Sequence, residues 1–197
     1  MARNLSSNFR DVPKSEGFGA VARHDARVLI LGSLPGQVSL QRAEYYANPL
    51  NAFWTIMAHL FGASRDLPYA VRLRRLNDCG IALWDVCASG HRPGSLDSNL
   101  SNIMVNDFGG FFLDHPAIKL ICFNGSTAGQ LYRRRVLPGL LPPYAETRRE
   151  VLPSTSPAHA ALSLEKKLNR WREVLYSTLP EANPPIFEFR SSLKAES

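Results

Sequence analysis

The chain has 197 residues, 45% of them apolar, with a formal net charge of +6 and a sequence pI near 9.5. That length suits one domain with its own core, and the apolar content excludes a disordered chain. No apolar run approaches the length of a membrane span, and residues 1–16 lack an apolar signal core, so a cytoplasmic protein is expected.

Residues 1–16 are polar and read as peripheral. Val28, Leu29, Ile30 and Leu31 form an apolar run with two β-branched members, which predicts a buried parallel strand. Gly32, Ser33, Leu34, Pro35 and Gly36 then make a sharp turn at the strand's C-terminal end, the edge where open α/β sheets bind ligands. The G-x-G-x-x-G spacing of a dinucleotide fingerprint is missing, and Pro35 removes an N–H that a phosphate would use. Tyr45, Tyr46, Asn48, Asn51, Phe53 and Trp54 crowd into ten residues. Flat rings beside carboxamides suit a nucleobase, because rings stack and amides bond base edges. Phe53 and Trp54 fit a hydrophobic core equally well.

From Asn51, apolar residues at helical spacing (Phe53, Ile56, Met57, Leu60, Phe61) run to Gly62. A second helix is expected over 68–77, starting at Pro68. The second strand covers 80–86 and ends in Trp84-Asp85-Val86. Asp85 at this edge either faces a ligand or caps the next loop. Residues 88–106, rich in Ser, Gly and Asn, read as the longest loop, in which Asp97, Ser98 and Asn99 line a pocket or start a helix. A short helix follows at 107–113 and a third strand at 118–123. Asn124-Gly125-Ser126 then turns into a helix whose last turn carries Arg133, Arg134 and Arg135, where cations complement the helix dipole. After a proline-rich connector, residues 150–152 form a fourth strand. Ser154, Thr155, Ser156, Pro157, Ala158 and His159 lead to a final helix over 163–179, with a peripheral tail from Pro180.

Alternating strands and helices predict a parallel sheet covered on both sides, in a single domain spanning 1–197 with 1–16 and 180–197 at its margins. Cys79, Cys87 and Cys122 lie in or beside apolar runs and read as reduced core thiols. No Cys or His spacing suggests a metal, and no cofactor is expected.

The run G-S-L-P-G-x-x-S-L-x-x-x-x-Y-Y-x-N-P-x-N-x-F-W, from Gly32 to Trp54, resembles the first motif of the uracil-DNA glycosylase superfamily. It is most similar to the hypoxanthine-DNA (deoxyinosine) glycosylase branch, and next to the mismatch-specific uracil/thymine glycosylases. The resemblance implies a three-layer α/β/α sandwich around a four-stranded, mainly parallel sheet. It also implies a DNA glycosylase that extrudes a deaminated base, hypoxanthine before uracil, and hydrolyses its N-glycosidic bond. Asn51 falls on the asparagine that this branch is thought to use catalytically, with Asn48 and Asp85 as alternatives. Tyr46 falls on the stacking aromatic of the mismatch-specific relatives. Gly32, Ser33, Leu34, Pro35, Gly36, Ser39 and Phe53 complete the implied base site.

Ser154, Thr155, Ser156, Pro157 and Ala158 resemble the second motif, a loop that presses on DNA; serine hydroxyls and N–H groups at a helix start suit phosphate oxygens. Leu34 stands where most of the superfamily has Asp or Asn, and Ser154 where the uracil enzymes have His. Both departures point toward deaminated purine. His159 is a substitute for that histidine or a surface residue. The first motif holds no lysine for a Schiff base, which implies a monofunctional enzyme. DNA is the expected partner of a monomer. Two readings from other classes remain open: a nucleotide-binding α/β enzyme, and a non-catalytic module that senses lesions.

Overall fold

The computed structural model describes residues 14–92 and 100–179. Strands β2 (Val28–Gly32), β3 (Ile81–Asp85), β6 (Leu120–Asn124) and β7 (Arg148–Leu152) form one sheet in the order β3-β2-β6-β7, all pairs parallel. Val28 lies level with Ile81 on one side and Leu120 on the other. β2 and β3 are buried at every position, which is why both read as apolar runs without alternation.

Successive side chains leave the sheet on opposite faces. Val28, Ile30, Ile81, Leu83, Leu120 and Cys122 pack on one side under α2 (Phe53–Phe61), α3 (Tyr69–Asp78) and α6 (Leu164–Tyr176). Leu29, Leu31, Ala82, Trp84, Ile121 and Phe123 pack on the other under α4 (Phe108–Asp114), α5 (Ser126–Leu131) and the π-helical turn Tyr132–Val136. The result is the three-layer sandwich that the resemblance implied.

The helix ends follow local chemistry. Ser163 Oγ accepts the Lys166 N–H at 3.3 Å and starts α6, and Asp107 Oδ1 accepts the Gly110 N–H at 3.0 Å and starts α4. Gly62, at φ 65°, ends α2 in the left-handed conformation that glycine adopts without strain.

Residues 88–106 depart from the expected loop. β4 (Cys87–His91) and β5 (Ser101–Val105) pair antiparallel, and β1 (Lys14–Glu16) adds to β4, giving a second sheet in the order β1-β4-β5. The β4 sequence, Cys-Ala-Ser-Gly-His, has small and polar side chains with no period-two apolar signal. Backbone pairing holds this strand. The first strand also takes in Lys14, Ser15 and Glu16, expected to be peripheral. The readings placed on Asp97, Ser98 and Asn99, on residues 1–13 and on the tail from Pro180 lie outside the described residues.

Only Val86 separates β3 from β4, so the chain passes directly between sheets beside the first turn. The Val86 N–H donates to Gly32 O at 2.9 Å and the Cys87 N–H to Ser33 O at 3.0 Å. These bonds extend the β2–β3 ladder past the strand ends and fix the turn that opens the site.

Candidate active site

The turn after β2 is held from below. Arg92, buried just beyond β4, donates to Leu34 O at 3.1 Å and also to Pro35 O. Its guanidinium replaces the backbone partners that a proline-containing turn cannot supply. Leu34 is buried, so no ionisable side chain stands before the motif proline. Gly36 leads into the short helix α1 (Gln37–Arg42), whose Ser39 Oγ accepts the Ala47 N–H at 3.1 Å. Ser39 thus ties the glycine turn to the aromatic stretch.

That stretch then folds around a second arginine. Arg65 Nη2 donates to Asn48 O at 2.9 Å and Asn51 O at 2.8 Å, with a longer contact of 3.4 Å to Tyr46 O. Burial, with Arg72 and Arg42 nearby, pushes the Arg65 guanidinium below its ordinary pKa. The Asn51 N–H closes a β-turn onto Asn48 O at 2.9 Å. Each asparagine also uses its own carbonyl locally: Asn48 Oδ1 accepts the Leu50 N–H at 2.9 Å, and Asn51 Oδ1 accepts the Phe53 N–H at 3.0 Å. The latter bond starts α2, and each amide oxygen keeps a second lone pair.

Tyr46 sits at φ 54°, a left-handed conformation that is costly for a bulky residue and persists only where the surroundings impose it. One source of that constraint is Phe53, on which the Tyr46 ring stacks with centroids 3.9 Å apart and planes 21° apart. Phe53 itself is 0% exposed and does not border the cavity, which corrects its expected place as a base contact. Its neighbours are Trp54 and Trp171, both edge-on, so Phe53 belongs to the core and backs Tyr46. Trp54 is also core, its Nε1 donating to Tyr45 O at 2.9 Å. Tyr45 is buried, its hydroxyl donates to Gly19 O at 3.2 Å, and burial, reinforced by the Asp85 carboxylate, raises its pKa.

These segments enclose a cavity of about 240 Å³ at the C-terminal ends of β2, β3 and β6. Of the expected first-motif residues, Gly32, Ser33, Leu34, Pro35, Gly36, Ser39, Tyr46, Asn48 and Asn51 line it. Asp85 lines it too, with only 3% exposure. Its main-chain oxygen accepts from Asn106 Nδ2 at 2.8 Å, and a Cβ added to Gly32 would lie 2.3 Å from Asp85 Oδ1. Glycine is thus the one residue that lets the carboxylate reach the cavity floor.

The opposite wall is the second loop. Ser154, Ser156, Pro157, Ala158 and His159 line the cavity, and His159 is exposed. Ser154 Oγ accepts the Ser156 N–H and Ser156 Oγ the Ala158 N–H, both at 3.3 Å, so the loop is ordered by its own hydroxyls. It lies several residues before α6, which starts at Ser163 as expected. Thr155 is a second correction: it is 1% exposed and faces inward. Asn124, at the end of β6, bonds it twice at 2.8 Å, through Nδ2 to Thr155 Oγ1 and through Oδ1 from the Thr155 N–H. Thr155 O then accepts the Ala52 N–H at 2.9 Å, joining the two motif loops across the cavity.

Sequence reasoning missed Arg65, Arg92 and Asn124. Asn124 carried a usable signal, a polar residue closing an apolar strand, the same signature that marked Asp85. The two arginines carried none, since each acts through backbone oxygens far away in the chain. None of Cys79, Cys87 and Cys122 lines the cavity, and burial pushes the Cys122 thiol up to about 12.

A sequence model of the uracil DNA glycosylase superfamily matches residues 18–179. A curated hypoxanthine DNA glycosylase of Methanosarcina acetivorans is 39% identical over 159 residues, covering 80% of this chain and 96% of the relative. A second, of Methanosarcina barkeri, is 36% identical over 118 residues, covering 59% of this chain and 75% of its own length. A solution NMR structure of a candidate uracil DNA glycosylase from Methanosarcina acetivorans superposes with a TM-score of 0.71 at 36% identity. It covers 84% of this chain and 99% of its own.

Proposed function

The chain belongs to the uracil DNA glycosylase superfamily, and from that premise we propose that its cavity receives a deaminated purine extruded from DNA and hydrolyses its N-glycosidic bond. The observation that carries the reading is the pairing of an aromatic platform with convergent polar groups in one small recess. Tyr46, braced on Phe53, lines the recess together with Asp85, Asn124, Asn51 and Asn48; on this reading the ring takes the base, Asp85 and Asn124 its edge, and Asn51 and Asn48 the sugar side. Hypoxanthine carries a ring N–H where adenine has only an acceptor, and a buried carboxylate accepts that proton's hydrogen bond while repelling adenine's lone pair. The Asp85 carboxylate therefore favours hypoxanthine over adenine.

The attack is assigned to water held by the second lone pair of the Asn51 carbonyl. An amide is a poor base, so rate comes from positioning and from stabilising the departing base as the sugar turns oxocarbenium-like. No lysine is among the described residues that line the cavity, which supports water over a Schiff-base nucleophile and hence a monofunctional enzyme. Lys167 and Arg170 place positive charge beside the second loop. Among the described residues no helix is long and apolar enough to cross a membrane. The working unit on this reading is a monomeric, single-domain cytoplasmic protein that carries no cofactor.

The test is direct. Duplexes containing hypoxanthine, uracil or mismatched thymine are incubated with the protein and then treated with alkali. Strand breaks first and fastest at hypoxanthine, and only after alkali, support the reading. Breaks before alkali, with a borohydride-trapped adduct, would refute the water mechanism. Tight binding without base loss would make the protein a lesion sensor.

A further inference from the structure

We propose that Leu50 is the wedge that enters the duplex and holds the gap left by the extruded nucleotide, an inference that rests on the base-excision reading above. Leu50 is 77% exposed and is, with Leu141, the most exposed of the large apolar side chains among the described residues. It occupies the third position of the β-turn closed by Asn51 N–H and Asn48 O, directly after Pro49, whose ring fixes its own φ. Its N–H is bonded to Asn48 Oδ1, and Arg65 grips the carbonyls on either side, Asn48 O and Asn51 O. The Leu50 N–H, the Asn51 N–H and the carbonyls of Asn48 and Asn51 are thus engaged, while the Leu50 side chain is exposed.

The residues flanking Leu50 place it. Asn48 and Asn51 both line the cavity, so the tip between them stands at its mouth. Across the mouth the second loop presents Pro157 and Ala158, whose side chains are too short to fill the space of a missing base, and His159, whose ring is polar where Leu50 is apolar. The bond between Ala52 N–H and Thr155 O keeps the two rims at fixed separation. A rigid apolar tip beside a base-sized recess is the geometry by which minor-groove proteins insert leucine between base steps. The flat ring that captures the base and the branched chain that replaces it then lie four residues apart on one braced segment.

The experiment uses the full chain and a duplex with 2-aminopurine beside a carbocyclic deoxyinosine, whose glycosidic bond cannot ionise, plus a natural deoxyinosine duplex for turnover. Wild-type protein raises the 2-aminopurine fluorescence as the stack opens. Leu50→Ala loses most of that rise and slows excision from duplex about tenfold, the factor given by 1.4 kcal/mol. Leu50→Met, which restores apolar length, recovers both. A full fluorescence rise with Leu50→Ala, or recovery by Leu50→Ser as good as by Leu50→Met, overturns the wedge alone, since wild type still releases base. If wild type neither opens the stack nor releases hypoxanthine, the glycosylase reading falls and takes the wedge with it.

Discussion

Asn51 has two tasks in this structure, and a pair of substitutions separates them. Its side-chain oxygen accepts the Phe53 N–H at 3.0 Å, satisfying an otherwise free donor at the start of α2. Asn51→Ala removes that bond, a loss of about 1 kcal/mol by analogy with helix caps. For a chain of this length that lowers the melting temperature by about 2–4 °C. Removing one preorganised hydrogen-bonding group from a reacting centre costs a further factor of about 10²–10³ in rate. Asn51→Ser keeps an oxygen able to bond the N–H two residues on, but is too short to hold water at the sugar. Calorimetry should therefore show Asn51→Ser melting near wild type, while single-turnover excision of hypoxanthine, measured well below the melting point, stays as slow as in Asn51→Ala. Recovery of rate together with melting temperature would show that Asn51 only shapes the loop. Near-normal turnover in Asn51→Ala would pass the water to Asn48 or Asp85.

Three further outcomes follow from the same geometry. Tyr46→Ala should weaken base capture by about 1–3 kcal/mol, the worth of one base–aromatic stack, read as a rise in KM for a deoxyinosine duplex, whereas Tyr46→Phe keeps the platform and most of the affinity. Arg65→Ala should lower excision about tenfold or more, because Arg65 Nη2 alone holds Asn48 O at 2.9 Å and Asn51 O at 2.8 Å together; an unchanged rate would remove Arg65 from the positioning of the site. Tyr45, Tyr69 and Tyr132 have their hydroxyl pKa values raised by burial, while the unfolded chain ionises near pH 10. Their contribution is fully present below that value and is lost as pH rises above it, so the urea midpoint should fall as pH is raised above about 10, and a flat profile there would contradict this.

The parts of the fold that were legible in the sequence are those that bury apolar surface on both sides. β2, β3 and β6 announced themselves as runs, and α2 and α6 as periodic faces, because burial alone decides them. The second sheet was not legible, since β4 is built of small and polar residues whose pairing is set by the partner strands. Within the site, the residues of the first motif were placed correctly at the cavity, but burial sorted the aromatics and the second loop. Phe53 and Thr155 turned inward because each has a core or backbone partner that no spacing reveals. The arginines that hold both loops were invisible for the same reason: a donor to a distant carbonyl leaves no local pattern.

The central claim, that the recess between the two loops takes in an unstacked base, is tested most directly by a crystal structure of the protein on a duplex with carbocyclic deoxyinosine. The account predicts the hypoxanthine ring outside the helix, lying against Tyr46 with its N–H toward Asp85. A lesion still stacked in the duplex, or a base bound anywhere other than between Tyr46 and the 154–159 loop, would contradict it.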